Sequence, residues 1–185
     1  MRNHKLLFLF TFAFFILGFI NIHFSLLGMF CMTLPFVLLF RTKKKTWCQG
    51  YCPRASAYTT LGKQKKWKSR NTPEYFIKGE MKWIMLTYFG VSLFFIIMTT
   101  IAVARGIRLP MNYLRFFVVF PIPYKMPQLI TLDWFTPWLT HLSYRFYSMM
   151  MTTTVLGLLL ALIYKPRTWC TICPIATMSD SILKN

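Results

Sequence analysis

The sequence predicts an all-α integral membrane protein whose four transmembrane helices form two parallel-repeated hairpins, each followed by a cytoplasmic cysteine motif. Three observations lead there. First, the 185 residues carry a formal net charge of +18, yet only 14% of them are charged, against roughly 25% in ordinary soluble domains. Second, hydrophobic residues make up 56% and aromatics 18%, with a mean hydropathy of +0.47. Third, cysteine pairs recur in matching contexts at Cys48/Cys52 and Cys170/Cys173. The abundance of Phe, Leu and Ile excludes a disordered basic tail. The shortage of polar residues excludes an ordinary soluble nucleic-acid-binding domain. At about 150 residues per domain, the chain reads as a single membrane domain, 1–185.

The elements follow in chain order. From Leu6 to Phe40 there is no Asp, Glu, Lys or Arg. A single helix of that length would run about 52 Å, well beyond the roughly 30 Å of bilayer hydrocarbon. Two short spans are therefore expected, about 6–22 and 23–40, with a tight turn between Gly18 and Ser25 where Asn21 and His23 are tolerated. The first residues also read like a signal peptide, but the apolar run continues without a small-x-small cleavage site, which favours a retained span. A third span is expected over about 83–103 and a fourth over about 146–164, each long enough to cross. Between them lie a cytoplasmic loop, 41–82, and an outside segment, 104–145.

Charge orients the spans. Segments 1–5, 41–82 and 165–185 hold every Lys and Arg except Arg105, Arg108, Arg115, Lys125 and Arg145. The positive-inside rule puts those three segments and both termini in the cytoplasm, and 104–145 outside.

The two cysteine motifs are Thr46-Trp47-Cys48-Gln49-Gly50-Tyr51-Cys52-Pro53-Arg54-Ala55 and Thr168-Trp169-Cys170-Thr171-Ile172-Cys173-Pro174-Ile175-Ala176. Each follows an outside-to-inside span, so the chain reads as a repeat of hairpin and motif, with the motifs brought face to face. Four thiolates meeting at one place imply a metal site. Zinc takes four Cys in closed tetrahedral sites. A 4Fe-4S cluster also takes four Cys, and ferredoxin-type ligation often ends in Cys-Pro. A disulfide is the third reading, disfavoured on the reducing side of the membrane, and a thiol–disulfide oxidoreductase needs an exposed thiol of lowered pKa. Trp47, Trp169, Tyr51 and Ile172 are expected to exclude water. Cys31, mid-span, reads as packing.

These motifs after a transmembrane hairpin resemble the membrane-bound iron–sulfur proteins of the periplasmic nitrate reductase maturation type (quinol dehydrogenase-like). The membrane part of the nitrous-oxide-reductase regulator type is similar. The resemblance spans roughly 1–60 and 83–180. It implies electron transfer in a bacterial cytoplasmic (inner) membrane. The second motif departs from the group in being Cys-x2-Cys-Pro, and neither a ferredoxin-like domain nor a flavin attachment sequence is present.

The expected function is therefore one-electron transfer through one 4Fe-4S cluster ligated by Cys48, Cys52, Cys170 and Cys173 at the cytoplasmic face. The chain would be a subunit or relay of a membrane redox complex rather than a stand-alone enzyme. The alternatives are a zinc-stapled assembly scaffold and a thiol–disulfide oxidoreductase. Arg41, Lys43 to Lys45, Arg54, Lys165 and Arg167 surround the ligands, and their field should raise the potential of an anionic cluster. One cluster at one face cannot span the hydrocarbon, so redox subunits in the membrane or outside are expected partners.

The run Lys63-Gln64-Lys65-Lys66-Trp67-Lys68-Ser69-Arg70 is a lipid anchor on anionic headgroups, compatible with docking an acidic ferredoxin or flavodoxin; nucleic acid is not expected. The outside segment, with Pro110, Pro121, Pro123, Pro127, Pro137, Trp134 and Trp138, is expected as short helices on the outer leaflet, or as a docking surface. Asp133 and His141 are its only acid and imidazole. They are expected to be solvated or capping, with a quinone site as the sharper reading. No catalytic triad, phosphate loop or haem motif occurs.

Overall fold

A computed structural model of the chain describes residues 5–64, 70–117, 120–122, 128–129 and 136–184. Lys65, Lys66, Trp67 and Lys68 of the basic run lie outside the described residues, as do Pro123, Lys125, Pro127, Asp133 and Trp134. The described chain is mostly helical: α1 (Phe8–Ile20), α2 (Leu27–Thr42), α3 (Pro53–Gln64), α4 (Glu74–Lys78), α5 (Glu80–Ala104), α6 (Pro137–Ile163), α7 (Thr168–Ile172) and α8 (Pro174–Lys184). Among the described residues of the segment expected outside, the chain forms a two-stranded antiparallel pair, β1 (Arg115–Phe116) and β2 (Phe120–Pro121). The strands suit the Pro-rich sequence, since proline ends helices but is tolerated at a strand edge.

Three helical stretches are long and apolar enough to cross a membrane: Ile22–Thr42, Glu80–Ala104 and Pro137–Ile163. Phe8–Ile20 is apolar but shorter, at 13 residues. The break after α1 falls at Asn21, which has extended backbone (φ −151, ψ 128) and whose side-chain oxygen accepts from the His23 backbone N–H at 2.9 Å. Asx residues make such local bonds in competition with the helix. The Phe14 ring packs against Gly28, where a Cβ would meet it at 3.3 Å. In one straight helix these residues would be about 21 Å apart, so the chain doubles back between them.

The last long helix begins at Pro137, nine residues before the expected 146. Polar His141 and Arg145 depress the hydropathy of its first turns, but both are buried, 4% and 8% exposed. Elsewhere the apolar surface faces outward: Phe10, Phe30, Phe40, Phe94 and Ile97 are more than half exposed. Water tolerates little such surface; lipid accommodates it.

The chain forms two compact units, and it passes between them within α1, α2, α5 and α6. One unit comprises Met1–Thr11, Cys31–Phe89 and Thr154–Asn185. Its core gathers Tyr58, Ala161, Trp169 and Ile172, with Phe76, Met81 and Leu156 packed around them. The turn Lys5–Leu7 packs on α3, and α4 packs on α7. Gly157 admits the Tyr58 ring, whose nearest atoms would lie 2.3 Å from a Cβ there.

The other unit comprises Phe12–Phe30 and Gly90–Thr153. Its core is Ile22, Met111, Leu114, Tyr144 and Tyr147. Ser25 Oγ donates to the Ser143 carbonyl at 2.8 Å, tying the turn after Asn21 to α6.

Candidate metal centre

Both cysteine motifs fold the same way. In the first, Trp47–Tyr51 forms a single helical turn carrying Cys48. Cys52 then turns extended (φ −69, ψ 112), and Pro53 opens α3. In the second, α7 carries Cys170, Cys173 turns extended (φ −63, ψ 127), and Pro174 opens α8. Proline suits the first helical position, where its missing N–H costs nothing.

Cys52 and Cys173 are the N-cap residues. Their carbonyls accept the first helical bonds, from Ser56 N–H at 3.2 Å and Thr177 N–H at 3.0 Å. The Cys173 sulfur also accepts backbone N–H groups of Ile175 and Ala176, the N2 and N3 donors that a capping oxygen would take.

The unequal spacing has a structural reason. The Cys52 N–H bonds the Trp47 carbonyl, five residues back, at 3.0 Å. That is a π-type turn, which takes one more residue than an α-turn. The extra residue of Cys-x3-Cys is absorbed in this turn, and Cys52 enters its helix as Cys173 does.

All four cysteines lie in one unit, as free thiols, each partly buried. Burial pushes the Cys48 thiol up to about 11, reinforced by Cys173 and Cys52 and opposed by Lys45. Burial pushes Cys170 up to about 12, reinforced by Cys52, Cys173 and Cys48 and opposed by Arg167. Cys173 is raised by burial and pulled back by the Ala176 N–H, with Arg54 acting in the same sense as that N–H. The four sulfurs thus feel one another. Among the described residues, however, no three His, Cys, Asp or Glu side chains converge closely enough to hold a single metal ion.

Of the expected cations, Lys45, Arg54 and Arg167 are the ones acting on these thiols. Arg41, Lys43 and Lys44 point to the surface. Lys45 also pairs with Asp180 on α8, which links the two motifs. Of the expected water-excluding residues, Trp169 and Ile172 are buried and Trp47 is half-buried, while Tyr51 is exposed.

Two residues near the centre had no such role in the sequence reading. Tyr58, fully enclosed on α3, lies within electrostatic reach of Cys52, Cys173 and Cys170; burial holds its hydroxyl well above the usual tyrosine range. Cys31, expected only as packing, lies within reach of Arg54, Cys52 and Cys173. Nothing in the linear neighbourhood of either residue marks it. Asp133 lies outside the described residues. His141, expected to be solvated or capping, is buried in α6 with its Nδ1 accepting from the Met111 N–H at 3.1 Å.

The donor set fits an iron–sulfur group: four thiols, two helix N-termini whose dipoles favour negative charge, and nearby guanidinium and ammonium groups. Residues 23–70 and 147–184 match the profile of the 4Fe-4S binding domain family. Each matched segment holds one cysteine motif with all or part of the long helix before it. The match supports an iron–sulfur protein. No curated protein and no solved structure matches the chain.

Proposed function

We propose that the chain is an electron-transfer protein holding one 4Fe-4S cluster on Cys48, Cys52, Cys170 and Cys173, at the cytoplasmic face of a bacterial inner membrane. The carrying observation is the shared backbone design of the two motifs, which gathers four mutually coupled thiols in one unit. When bound, the cluster supplies a one-electron redox couple. The residues of the chain do the rest. Trp169 and Ile172 keep water back, the α3 and α8 N-termini face negative charge, and Lys45, Arg54 and Arg167 offset it.

Four spans as two hairpins, with both termini cytoplasmic, is the proposed topology. The reversal at Asn21, the contact of Lys5–Leu7 with α3 and the distribution of Lys and Arg support it. The chain serves as a subunit or relay in a membrane redox complex, taking or giving electrons through an acidic soluble carrier such as a ferredoxin or flavodoxin at its basic face.

One observation weighs against the thiol–disulfide reading. A thiol–disulfide oxidoreductase needs a lowered thiol pKa, and those of Cys48, Cys170 and Cys173 are raised.

The test is a Cys→Ser series on anaerobically purified full-length protein. Iron content should fall to background with serine at any of the four positions and persist in Cys31→Ser. Iron retained after Cys48→Ser or Cys170→Ser would contradict the reading, and loss in Cys31→Ser would reassign a ligand.

A further inference from the structure

Helix α6 carries a polar row at His141, Arg145, Ser148 and Thr152. The spacing i, i+4, i+7, i+11 puts all four on one face. Three of them hold down the chain that follows α5. Met111 N–H donates to His141 Nδ1 at 3.1 Å, Arg115 N–H to Ser148 Oγ at 3.1 Å, and Phe117 N–H to Thr152 Oγ1 at 3.4 Å. The fourth cannot take part this way, because a guanidinium has donors and no acceptor.

Arg145 is 8% exposed, and its Nε is buried without a hydrogen-bond partner. Among the described residues, the charges that act on it are of its own sign, from Arg115 and Arg108, with the Tyr113 hydroxyl also in reach. Arg115 Nη2 donates to the Tyr113 hydroxyl at 2.6 Å, and its guanidinium lies over the Tyr113 ring at 5.2 Å from the centroid. Between Glu80 and Asp180 the sequence has one acid, Asp133, which lies outside the described residues. Among the described residues no acid faces Arg145; a buried guanidinium without an anion is strongly unfavourable, and an ionisable residue in a membrane helix is a functional-site signal by default.

Arg145 is about 12 Å along α6 from Pro137. The helix is 27 residues long, about 40 Å, which exceeds the roughly 30 Å hydrocarbon thickness. With the helix centred in the bilayer, Arg145 lies about 7 Å inside the hydrocarbon boundary, within side-chain reach of headgroup level.

We propose that Arg145 anchors a binding site for a phosphoryl oxyanion, to which Arg115 and Arg108 contribute positive charge. The guanidinium fork matches two oxygens of such a group. An anionic phospholipid headgroup and free phosphate both present this chemistry.

The test titrates the full-length protein in dodecyl maltoside micelles with inorganic phosphate, with phosphatidylglycerol and with phosphatidylcholine, following Tm. A saturable rise with phosphatidylglycerol alone assigns the lipid source; a rise with inorganic phosphate assigns the free ion. In either case Arg145→Gln should weaken the apparent affinity about tenfold or more, and Arg145→Lys, which keeps charge but loses the fork, less. Should Arg145→Gln fail to fold, Arg145→Lys and Arg115→Gln carry the comparison. No saturable response to phosphate or phosphatidylglycerol, an equal response to phosphatidylcholine, or unchanged affinity in the folded variants overturns the proposal. Iron content measured on the same samples reports separately on the cysteine centre.

Discussion

Cys52 and Cys173 occupy positions that oxygen-bearing residues usually hold, at the first residue before a helix. A thiolate there meets backbone N–H groups and the positive end of a helix dipole. At Cys173 that environment favours the anionic form, while burial, the larger influence, opposes it. Ligation resolves the conflict, because a coordinating thiol is deprotonated outright. The same electrostatics sets the sign of redox tuning. Removing a cation from beside an anionic centre disfavours its reduced state. Lys45→Gln, Arg54→Gln and Arg167→Gln should each lower the midpoint potential by tens of millivolts, measured by potentiometric titration of the purified protein. Lys43→Gln and Lys44→Gln should move it less, since those side chains face solvent; a larger shift from them would overturn the placement of the field. The two matching cysteine motifs were legible in the sequence because their surroundings repeat. Tyr58 and Cys31 were not, because what brings them to the centre is tertiary packing.

Helix α3 approaches α6 closely where Tyr58 meets Gly157. The Tyr58 ring occupies the space beside Gly157 where a side chain would stand. Gly157→Ala forces the ring aside, and overpacking of this kind costs about 1–3 kcal/mol. For a chain of this length the expected drop in Tm is several degrees, read by tryptophan fluorescence in micelles. Gly90, on α5, has open space around it, so Gly90→Ala should not lower Tm; equal Tm in wild type and both variants would contradict the contact. Element boundaries divide into what sequence pattern could and could not find. The turn near Asn21 was visible because an uncharged stretch too long for one crossing must break. The start of α6 was not, because His141 and Arg145 look like interface residues until Met111 and Arg115 are seen laid along their face. The extra residue in the first motif read as a departure, and the π-turn at Trp47–Tyr51 is what absorbs it.

At the scale of the molecule, the excess of Lys and Arg is the basis of the proposed orientation. Those cations cluster in segments 41–82 and 165–185, which carry the cysteine motifs, so the charge behind the proposed orientation also lies in the segments of the proposed centre. Alkaline phosphatase fused after Gly106 should be active, and fused after Arg70 or Lys184 inactive; the reverse pattern would invert the topology. The class of the fold was legible from composition, since a chain so apolar and so poor in charge has few alternatives to lipid. The division into two units was not, because no linker-like stretch marks it: the chain passes between them inside helices. The central claim is that the two motifs together hold one cubane. Iron and acid-labile sulfide measured on anaerobically purified full-length protein test it most directly. About four iron and about four sulfide per chain are predicted; a colourless protein with one zinc and no labile sulfide would contradict it.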